Sequence, residues 1–412
     1  MKGKTKKLRV AYWALLTAFA LLIVVGTVNV FSSTFVEDGM AGNVFGHLIR
    51  QVFIFAIGLI PAVFVYKKDY QYWDRHTRAI VIITVLLLLA VLTVGVVVNG
   101  ARRWVGISSF TFQPSELAKL TSILYVASCL APMLEKHKRI EFLHAVSRKK
   151  NALPWQRIAW IPHIALWIPV LMAALVFKQP DAGTAIVILV IPVIMLMVSG
   201  ASLKKVRIPF LAIMAIAVIA IMAEPYRRDR IIAWLDPWSY EKTMGYQTVQ
   251  SLIAIGSGGI TGQGLGEGIS KFSYLPEAHT DFAFAVLAQE WGLCGTLLML
   301  FLFCVIIYCG AITAWNCRNR FGMLLALGIT LYFGGQGFIN IGMVSGILPV
   351  VGVPLPFISY GGTSLIVNMV AAALLLNISK RNYKETEKEA VIGSPPSAHS
   401  MKIETRSEFL LK

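Results

Sequence analysis

The stretch Tyr274-Leu-Pro-Glu-Ala-His-Thr-Asp-Phe282 ends a long polar interruption, residues 225–282, in a chain that is otherwise mostly hydrophobic. An apolar run, residues 283–308, follows at once. Such a run is long enough to cross a bilayer as a helix, which needs roughly 20 apolar residues. The junction therefore predicts a membrane helix with a carboxylate, Asp281, at its water-facing mouth.

Asp281 is the candidate catalytic residue. A carboxylate in this position, beside Glu277 and His279, can accept a proton from a sugar hydroxyl. The alternative is a structural role, since Thr280 or Asp281 could cap the next helix by accepting hydrogen bonds from its free N–H groups. Composition alone favours the cap, whereas the basic and glycine-rich residues that precede Asp281 favour chemistry.

The composition is that of a membrane protein. Hydrophobic residues make up 57% of the 412 residues and charged residues 14%, with a mean hydropathy of +0.69. A water-soluble domain has about half apolar and about a quarter charged residues. The chain is therefore predicted to be an all-α polytopic membrane protein with ten transmembrane helices. The predicted spans are residues 10–32, 47–66, 77–98, 114–133, 161–178, 184–202, 208–223, 283–308, 321–343 and 360–379.

Lysine and arginine are distributed unevenly between the connecting segments. Of the 38, 28 fall in the N-terminus, in alternate loops and in the C-terminal tail. Cytoplasmic segments carry the excess of these residues, so both termini are predicted to be cytoplasmic, with residues 224–282 as a large extracellular loop between helices 7 and 8. Residues 1–380 are predicted to form one transmembrane domain, and residues 381–412 a disordered cytoplasmic tail. Eight cations fall on outer loops against this bias: Arg102, Arg103, Lys178, Arg227, Arg228, Arg230, Lys242 and Lys271.

Several classes of function are disfavoured. The net charge of +17 does not indicate a nucleic-acid-binding protein, because the cations flank helices instead of forming a basic stripe interleaved with aromatic residues. The glycine-rich run 256–268 matches neither the dinucleotide fingerprint nor the P-loop, and no P-loop occurs elsewhere, so no nucleotide cofactor is expected. The five cysteines lack metal-binding spacing and an outer-loop pair, and they predict neither a disulfide nor a zinc site.

The loop after the third span, residues 99–119, carries Arg102, Arg103 and Trp104. The planar guanidinium of arginine matches phosphate oxygens, so one of the two arginines is a candidate clamp for a diphosphate. As the alternative, arginine and tryptophan at a membrane interface serve only as anchors.

Two helix ends on the outer face share a Gln-Pro-acid pattern, at residues 113–116 and 178–181. Irregular backbone at membrane depth must be buried in protein or line a water-filled space. The two proline-broken ends are therefore predicted to line one cavity. Their candidate contacts are Gln113, Ser115, Glu116, Lys178 and Asp181.

Three ionisable residues are expected inside the membrane. Glu116 and Lys119 are three residues apart and share a helix face, so they can neutralise each other. Glu290, in the eighth span, is the other candidate partner for Lys119. Ionisable groups at this depth are functional candidates by default, but a structural role that ties two helices together is favoured over direct catalysis for Lys119 and Glu290.

Two later segments carry further candidates. Residues 247–255 are amphipathic, with Gln247 and Gln250 on one face, and predict a short helix in the interface. Residues 346–364 combine three prolines with a polar run that includes Ser359 and Tyr360. This segment is predicted to be either a re-entrant plug packed on neighbouring helices or a substrate contact.

Together these motifs resemble the SEDS family (shape, elongation, division and sporulation), the bacterial peptidoglycan polymerases. The resemblance runs from the first span to Arg381. It implies a ten-helix fold, GT-C-like, that polymerises lipid II on the outer face of the cytoplasmic membrane. The motifs that carry it are Arg103-Trp104, Gln113-Pro-Ser-Glu116, Lys178-Gln-Pro-Asp181, Gly245-Tyr-Gln247 and the stretches 250–259, 275–282 and 355–362.

The resemblance also implies roles for individual residues. The essential aspartate of the family falls on Asp281 and its important tryptophan on Trp104, whereas Gln289 departs from the two acids that many relatives carry at 289–290. The expected substrate-binding residues are Arg102, Arg103, Trp104, Gln113, Ser115, Glu116, Lys178, Asp181, Arg227, Arg230, Gln247, Gln250, Ser257, Glu277, His279, Thr280, Ser359 and Tyr360.

The motifs at 245–247, 264–266 and 277–282 resemble the division and sporulation branch, typified by FtsW, more than the elongation branch, typified by RodA. This resemblance implies a class B penicillin-binding protein and other division proteins as partners. The implied reaction is an inverting glycosyl transfer with Asp281 as general base. Undecaprenyl pyrophosphate leaves, stabilised by outer arginines, with a divalent cation, Mg or Mn, as a second candidate source of positive charge.

Three alternatives stay open from the sequence. One is an elongation-type polymerase. Another is a transporter that flips lipid II, which the proline-broken helices and the intramembrane charges could serve. The third is a non-catalytic scaffold that recruits a transpeptidase, in which Asp281 would tolerate substitution.

Overall fold

The fold is a bundle of long helices, as the composition predicts. The structure, a computed structural model, describes residues 2–98, 101–107, 110–136, 164–199, 211, 225–272 and 275–392. Its helices are α1 (Lys2–Met40), α2 (Gly46–Lys67), α3 (Tyr70–Val94), α4 (Pro114–Lys136), α5 (Ile164–Lys178), α6 (Ala182–Val198), α7 (Pro225–Leu235), α8 (Tyr246–Ser257), α9 (Ala283–Asn316), α10 (Arg320–Val344) and α11 (Gly362–Ile392). A 3-10 helix spans Ile269–Lys271, and three strands are β1 (Val96–Val98), β2 (Ala101–Ile107) and β3 (Phe110–Phe112).

Within these described ranges, seven helices are long and apolar enough to cross a membrane: α1, α2, α3, α4, α9, α10 and α11. Two more apolar helices, α5 and α6, are shorter. Nine of the ten predicted spans coincide with these helices, and the tenth, residues 208–223, lies outside the described residues. The chain is thus a multi-pass membrane protein, and the number of spans that the structure describes is smaller than the ten predicted.

Helix α10 lies in the centre of the bundle, where it packs against α9, α4, α6 and α11. Its Tyr332 and Phe333 are fully buried. Helix α1 packs between α9 and α11, and it approaches residues 357–358 so closely that a Cβ atom at Gly26 would lie 1.9 Å from the carbonyl oxygen of Phe357. Only glycine permits this contact, which seats the segment before α11 against α1.

The glycine-rich run supports a break in α9. At Gly292 the backbone leaves helical geometry with φ 62°, and the hydrogen bonds that the break frees are made to the run instead. The N–H groups of Gln263 and Gly264 donate to the carbonyls of Gln289 and Glu290 at 3.0 and 3.1 Å. The glycine-rich run thus packs against the break in α9.

One helix boundary and one loop differ from the prediction. The predicted third span, 77–98, ends early, because α3 stops at Val94 and three consecutive β-branched valines then form β1. The loop 99–119 was predicted without strands, but β1, β2 and β3 form an antiparallel sheet in that order, with Val97 opposite Arg102 and Gly106 opposite Thr111.

Residues 381–392, the first part of the predicted disordered tail, are helical. Helix α11 continues to Ile392, and side chains at the start of the predicted tail make polar contacts with neighbouring elements. Arg381 pairs with Asp69 at 2.7 Å, and the Asn382 amide donates to the Thr313 carbonyl at 2.8 Å. Residues 393–412 of the predicted tail lie outside the described residues.

The two ends of the bundle are distinct. The start of α1 and the end of α11 meet at one end, where the rings of Tyr12 and Tyr383 are 5.5 Å apart. At the other end Glu37, near the end of α1, lies 3.8 Å from His279 in the stretch that leads to Asp281. We call these the terminal end and the Asp281 end.

Candidate active site

Asp281 is held just before the first turn of α9. Glu277, with φ 57°, turns the chain so that its carbonyl accepts the N–H groups of Thr280 and Phe282, both at 3.1 Å. Phe282 occupies the N-cap position, with no side-chain cap, and the Thr280 hydroxyl bonds to the Glu277 carboxylate at 2.6 Å. The alternative in which Thr280 or Asp281 caps the helix is therefore wrong, and the Asp281 carboxylate is not engaged in capping.

A cavity of about 940 Å³ opens at the Asp281 end. Its walls come from α2, the sheet, the starts of α4 and α6, helices α7 and α8, and from residues within the stretches 277–282 and 349–366. Among the residues predicted from the sequence, it is lined by Arg103, Trp104, Gln113, Glu116, Asp181, Arg230, Gln247, Glu277, Thr280, Asp281 and Tyr360.

Two arginines supply positive charge near Asp281. Arg103 donates from Nε to the Gln179 carbonyl at 3.3 Å and from a terminal nitrogen to the Pro180 carbonyl. Arg230 donates to the Val350 carbonyl at 3.3 Å. Because backbone carbonyls hold both guanidinium groups, the positive charge is fixed in place before a ligand arrives, and the five N–H donors of a guanidinium exceed those that these contacts use on Arg103.

The electrostatic surroundings raise the pKa of Asp281 to about 7. Burial is the largest cause, followed by the negative charges of Glu277 and Asp181, while Arg103 and Arg230 lower the pKa. The carboxylate still borders the cavity and is only partly buried by exposed area. A carboxyl group with a pKa near 7 is well matched to accept a proton at neutral pH.

The two Gln-Pro-acid helix ends meet at this cavity, as the sequence predicts. One oxygen of Asp181 accepts the N–H of Thr184 at 3.1 Å and so caps α6. Its other oxygen lies 3.4 Å from both the Gln113 amide and the Ser115 hydroxyl. This network fixes the start of α4 against the start of α6 and leaves Asp181 on the cavity wall.

The intramembrane charges form two separate pairs. Lys119 bonds to Glu116 at 2.8 Å and to the Gln336 side-chain oxygen at 3.0 Å. Glu116 is buried, borders the cavity, and keeps its Oε2 atom without a hydrogen-bond partner. The predicted pairing of Glu116 with Lys119 is confirmed, and Glu290, the other candidate partner of Lys119, does not pair with it.

Glu290 pairs instead with Lys271 at 3.0 Å and accepts the Ser32 hydroxyl at 2.6 and 2.7 Å. Both members of this pair are almost fully buried. The pair joins α1, the 3-10 helix and α9, which is the structural role that the sequence favoured for Glu290.

His279 lies behind the cavity wall. Its ring is 5.9 Å from that of Tyr360, and its carbonyl accepts the Tyr360 N–H at 2.8 Å. Burial lowers the pKa of His279 and raises the pKa of Tyr360. His279 thus contacts a cavity residue and does not line the cavity.

Other predicted binding residues are not brought to the cavity. Arg102 is exposed and absent from the lining, because successive residues of a strand alternate in direction and Arg103 takes the inward position in β2. Lys178, the last residue of α5, is also exposed and absent from the lining. The Ser359 hydroxyl accepts the Leu355 N–H at 2.8 Å, a structural bond. Ser257 bonds to Gln289, and Gln250 is absent from the lining. The Arg227 side chain lies outside the described part of the chain.

Sequence reasoning missed Arg50 and Gly352. Arg50 lines the cavity and hydrogen-bonds to Tyr360, an interaction that lowers the pKa of that tyrosine against the effect of burial. The sequence did contain a signal for Arg50, because a cation at the outer end of a span runs against the excess of Lys and Arg on the cytoplasmic side. A Cβ atom at Gly352, which has φ 64°, would lie 3.3 Å from the Asp281 carboxylate.

In the described part of the chain, no group of three His, Cys, Asp or Glu side chains is arranged to hold a metal ion. The fixed cations beside Asp281 are the arginines Arg103 and Arg230.

Known proteins are similar to this chain in sequence. The chain is 36% identical over 365 residues to stage V sporulation protein E of Bacillus subtilis, covering 87% of this chain and 94% of that protein. It is also 36% identical over 361 residues to the probable peptidoglycan glycosyltransferase FtsW of Aliivibrio salmonicida, covering 87% and 86%.

Two solved structures resemble the fold. One is a chain of a peptidoglycan synthase complex, described for its structural coordination of polymerization and crosslinking. Its TM-score is 0.70 at 26% identity, and the match covers 90% of this chain and 98% of that chain. The other is the rod shape determining protein RodA of Thermus thermophilus, with a TM-score of 0.61 at 25% identity, covering 90% and 97%.

Residues 12–384 match the family of cell cycle proteins that comprises FtsW, RodA and SpoVE. This match covers most of the chain and confirms the resemblance to the SEDS polymerases found in the sequence. The protein belongs to the FtsW, RodA and SpoVE family of cell cycle proteins.

Proposed function

We propose that the protein is a peptidoglycan glycosyltransferase that polymerises lipid II, the undecaprenyl-linked disaccharide pentapeptide, on the outer face of the bacterial cytoplasmic membrane. The observation that carries this proposal is the position of Asp281, a carboxylate with a pKa near 7 that borders a cavity also lined by Arg103 and Arg230. The names of relatives such as the FtsW of Aliivibrio salmonicida support the same activity.

In the proposed reaction, Asp281 takes the proton from the 4-hydroxyl of the N-acetylglucosamine of the acceptor. The freed oxygen attacks C1 of the N-acetylmuramic acid at the donor end of the growing strand. The new C–O bond forms as the bond from C1 to the diphosphate breaks, with inversion at C1. The bonding electrons leave with undecaprenyl pyrophosphate, and the proton stays on Asp281 until it passes to solvent.

Three arginines can stabilise the departing diphosphate. Arg103 and Arg230 are held near Asp281 by backbone carbonyls, and Arg50 lines the same cavity from α2. Fixed charges in a partly dry site act on developing negative charge without having to reorganise, and such electrostatic help is usually the largest catalytic contribution. No step of this mechanism is assigned to a divalent cation.

Glu116 is suited to orient a substrate. Its Oε2 atom is buried without a partner at the cavity wall, while its other oxygen is held by Lys119. A turn of this side chain toward the cavity would let a hydroxyl or N-acetyl N–H group of a sugar satisfy the acceptor.

The proposal places the Asp281 end outside the cell, because the terminal end carries the excess of Lys and Arg. Polar side chains that line the cavity lie at this one end of the bundle. This arrangement favours chemistry at a membrane surface over transport across it, since a flippase needs polar entry sites on both faces.

We further propose that a class B penicillin-binding protein acts with this polymerase and that the role is in cell division. The structural neighbour from a complex that couples polymerization to crosslinking supports such a partner. Sporulation and FtsW relatives support the division and sporulation branch over an elongation-type role.

The test uses the purified full-length protein in liposomes supplied with lipid II. Asp281→Asn keeps the shape of the side chain but removes the base, and is expected to lower the polymerisation rate by about 10²–10⁴-fold. Asp236→Asn, the same change at an exposed residue outside the cavity, is the matched control and should polymerise normally. Normal polymerisation by Asp281→Asn would remove Asp281 from the mechanism.

A further inference from the structure

Asn340, on the buried face of α10 near its C-terminal end, ties two parts of the cavity wall together. Its side chain is fully buried. The amide nitrogen donates one hydrogen bond to the Asp281 carbonyl at 2.8 Å and the other to the Val353 carbonyl at 2.7 Å. The side-chain oxygen has no hydrogen-bond partner.

Two donated hydrogen bonds hold the amide of Asn340, and its side-chain oxygen stays buried without a partner. A buried acceptor without a partner is costly, so the protein tolerates it in exchange for both donated bonds. Both of those bonds end on residues at or next to the Asp281 carboxylate. Val353 directly follows Gly352, whose backbone the carboxylate approaches.

A second asparagine holds the other side of the same turn. Asn29, buried in α1, donates to the Ala283 carbonyl at 3.0 Å, and its side-chain oxygen is also without a partner. The carbonyls of Asp281 and Ala283 are thus fixed from two different helices. Of the two asparagines, only Asn340 also reaches the 349–354 wall.

We propose that Asn340 is a positioning residue for glycosyl transfer: by joining Asp281 to Val353, it sets where the catalytic carboxylate lies against the cavity wall. This inference rests on the proposed function of Asp281 as general base. Asn340 does not contact the substrate and acts only through Asp281 and the 349–354 segment.

Loss of Asn340 has a specific expected effect. Without the bond, the turn at Asp281 can move off the wall and admit water to the carboxylate. Burial is the largest cause of the raised pKa of Asp281, so added water lowers that pKa from about 7 toward its ordinary value. A displaced base also reduces kcat, by about 10–100-fold for a shift near 1 Å, with little change in the KM for lipid II.

The chain contains a matched control. Asn377 in α11 is also buried, donates both N–H groups to two carbonyls, those of Tyr66 at 2.6 Å and Lys68 at 2.8 Å, and keeps its oxygen without a partner. It lies at the terminal end, away from the cavity. Asn377→Ala therefore removes the same two kinds of hydrogen bond without touching the site. We expect it to lower the free energy of unfolding by a similar amount.

The experiment compares full-length wild type, Asn340→Ala and Asn377→Ala in three measurements: thermal unfolding, kcat and KM on lipid II across pH, and the infrared titration of the Asp281 carboxyl, assigned by its loss in Asp281→Asn. The expected result is a similar loss of thermal stability in both alanine variants. Only Asn340→Ala should show a lower kcat and a lower midpoint for both the rate and the infrared signal.

An unchanged midpoint and kcat in Asn340→Ala would overturn the inference and reduce Asn340 to a packing residue. If Asn340→Ala does not fold, Asn340→Ser replaces it, because a hydroxyl can donate only one of the two hydrogen bonds. An unchanged midpoint and kcat in that variant would likewise overturn the inference. The infrared titration needs no turnover, so it keeps the two proposals apart. An active Asp281→Asn defeats the proposed base, whereas an inactive Asp281→Asn with an unmoved Asn340→Ala midpoint defeats only the positioning role.

Discussion

Asp281 can act as a base only when it is deprotonated. Because burial raises the pKa of this carboxyl to about 7, the neutral form dominates below that pH and the charged form above it. The rate should therefore rise about tenfold per pH unit up to a midpoint near 7 and then level off. The check is kcat/KM for lipid II polymerisation in liposomes between pH 5 and 8.5.

Arg103 provides a control for this pH profile. The arginine lowers the pKa of Asp281, so Arg103→Gln should move the midpoint above that of wild type, whatever it does to the maximal rate. A rate that is flat from pH 5 to 8, in wild type, would contradict the assignment of Asp281 as the titrating base.

At the scale of single residues, the sequence predicted that Asp281 lies at the start of an apolar helix and that outer-loop arginines lie near it, and the structure has this arrangement for Arg103 and Arg230. The choice between Arg102 and Arg103 could not be predicted, because it depends on which face of β2 each residue occupies, and no strand was predicted. The role of Asn340 could not be predicted from the sequence. It depends on the two carbonyls that its amide reaches, and these lie in other segments of the chain.

At the scale of elements, the buried pair Lys271 and Glu290 fastens the glycine-rich segment to the break in α9. Removing one partner leaves an uncompensated charge, so Lys271→Met should cost about 3–5 kcal/mol of stability. The double variant Lys271→Met with Glu290→Gln should recover much of that loss, because it leaves no buried charge. Thermal unfolding in detergent measures both.

An exposed pair is the comparison for this prediction. Arg228 and Asp229 are 4.0 Å apart with side chains that are about half exposed, and Arg228→Met should change stability by less than about 1 kcal/mol. Equal losses for Lys271→Met and Arg228→Met would show that burial of the Lys271 pair has no energetic consequence.

The helices were predictable and their irregularities were not. Runs of apolar residues indicate spans wherever they are long enough, which is why nine predicted spans match helices. The sheet after α3 was missed because its strands are short and its pairing is decided by contacts with other segments. The break at Gly292 was missed because its freed hydrogen bonds are satisfied by residues some thirty positions earlier in the chain.

At the scale of the molecule, sidedness is the part that charge distribution predicts. Single cysteines can test it after the five native cysteines are replaced. Asn43→Cys, in the exposed turn between α1 and α2 at the Asp281 end, should react with a membrane-impermeant maleimide on intact cells. Lys384→Cys, exposed at the terminal end, should react only after the membrane is opened. The reverse labelling pattern would place Asp281 inside the cell and end the proposal of chemistry on the outer face.

The segment 349–356, part of which lines the cavity, contains three of the chain's prolines, Pro349, Pro354 and Pro356. Each proline restricts its own backbone even in the unfolded chain, so less conformational freedom is lost when this stretch becomes ordered. The wall is accordingly expected to keep one shape whether or not a lipid occupies the groove. A rigid wall reduces the conformational entropy that is lost when a ligand binds. Inhibitors can therefore be designed to fit the shape that the cavity has without substrate.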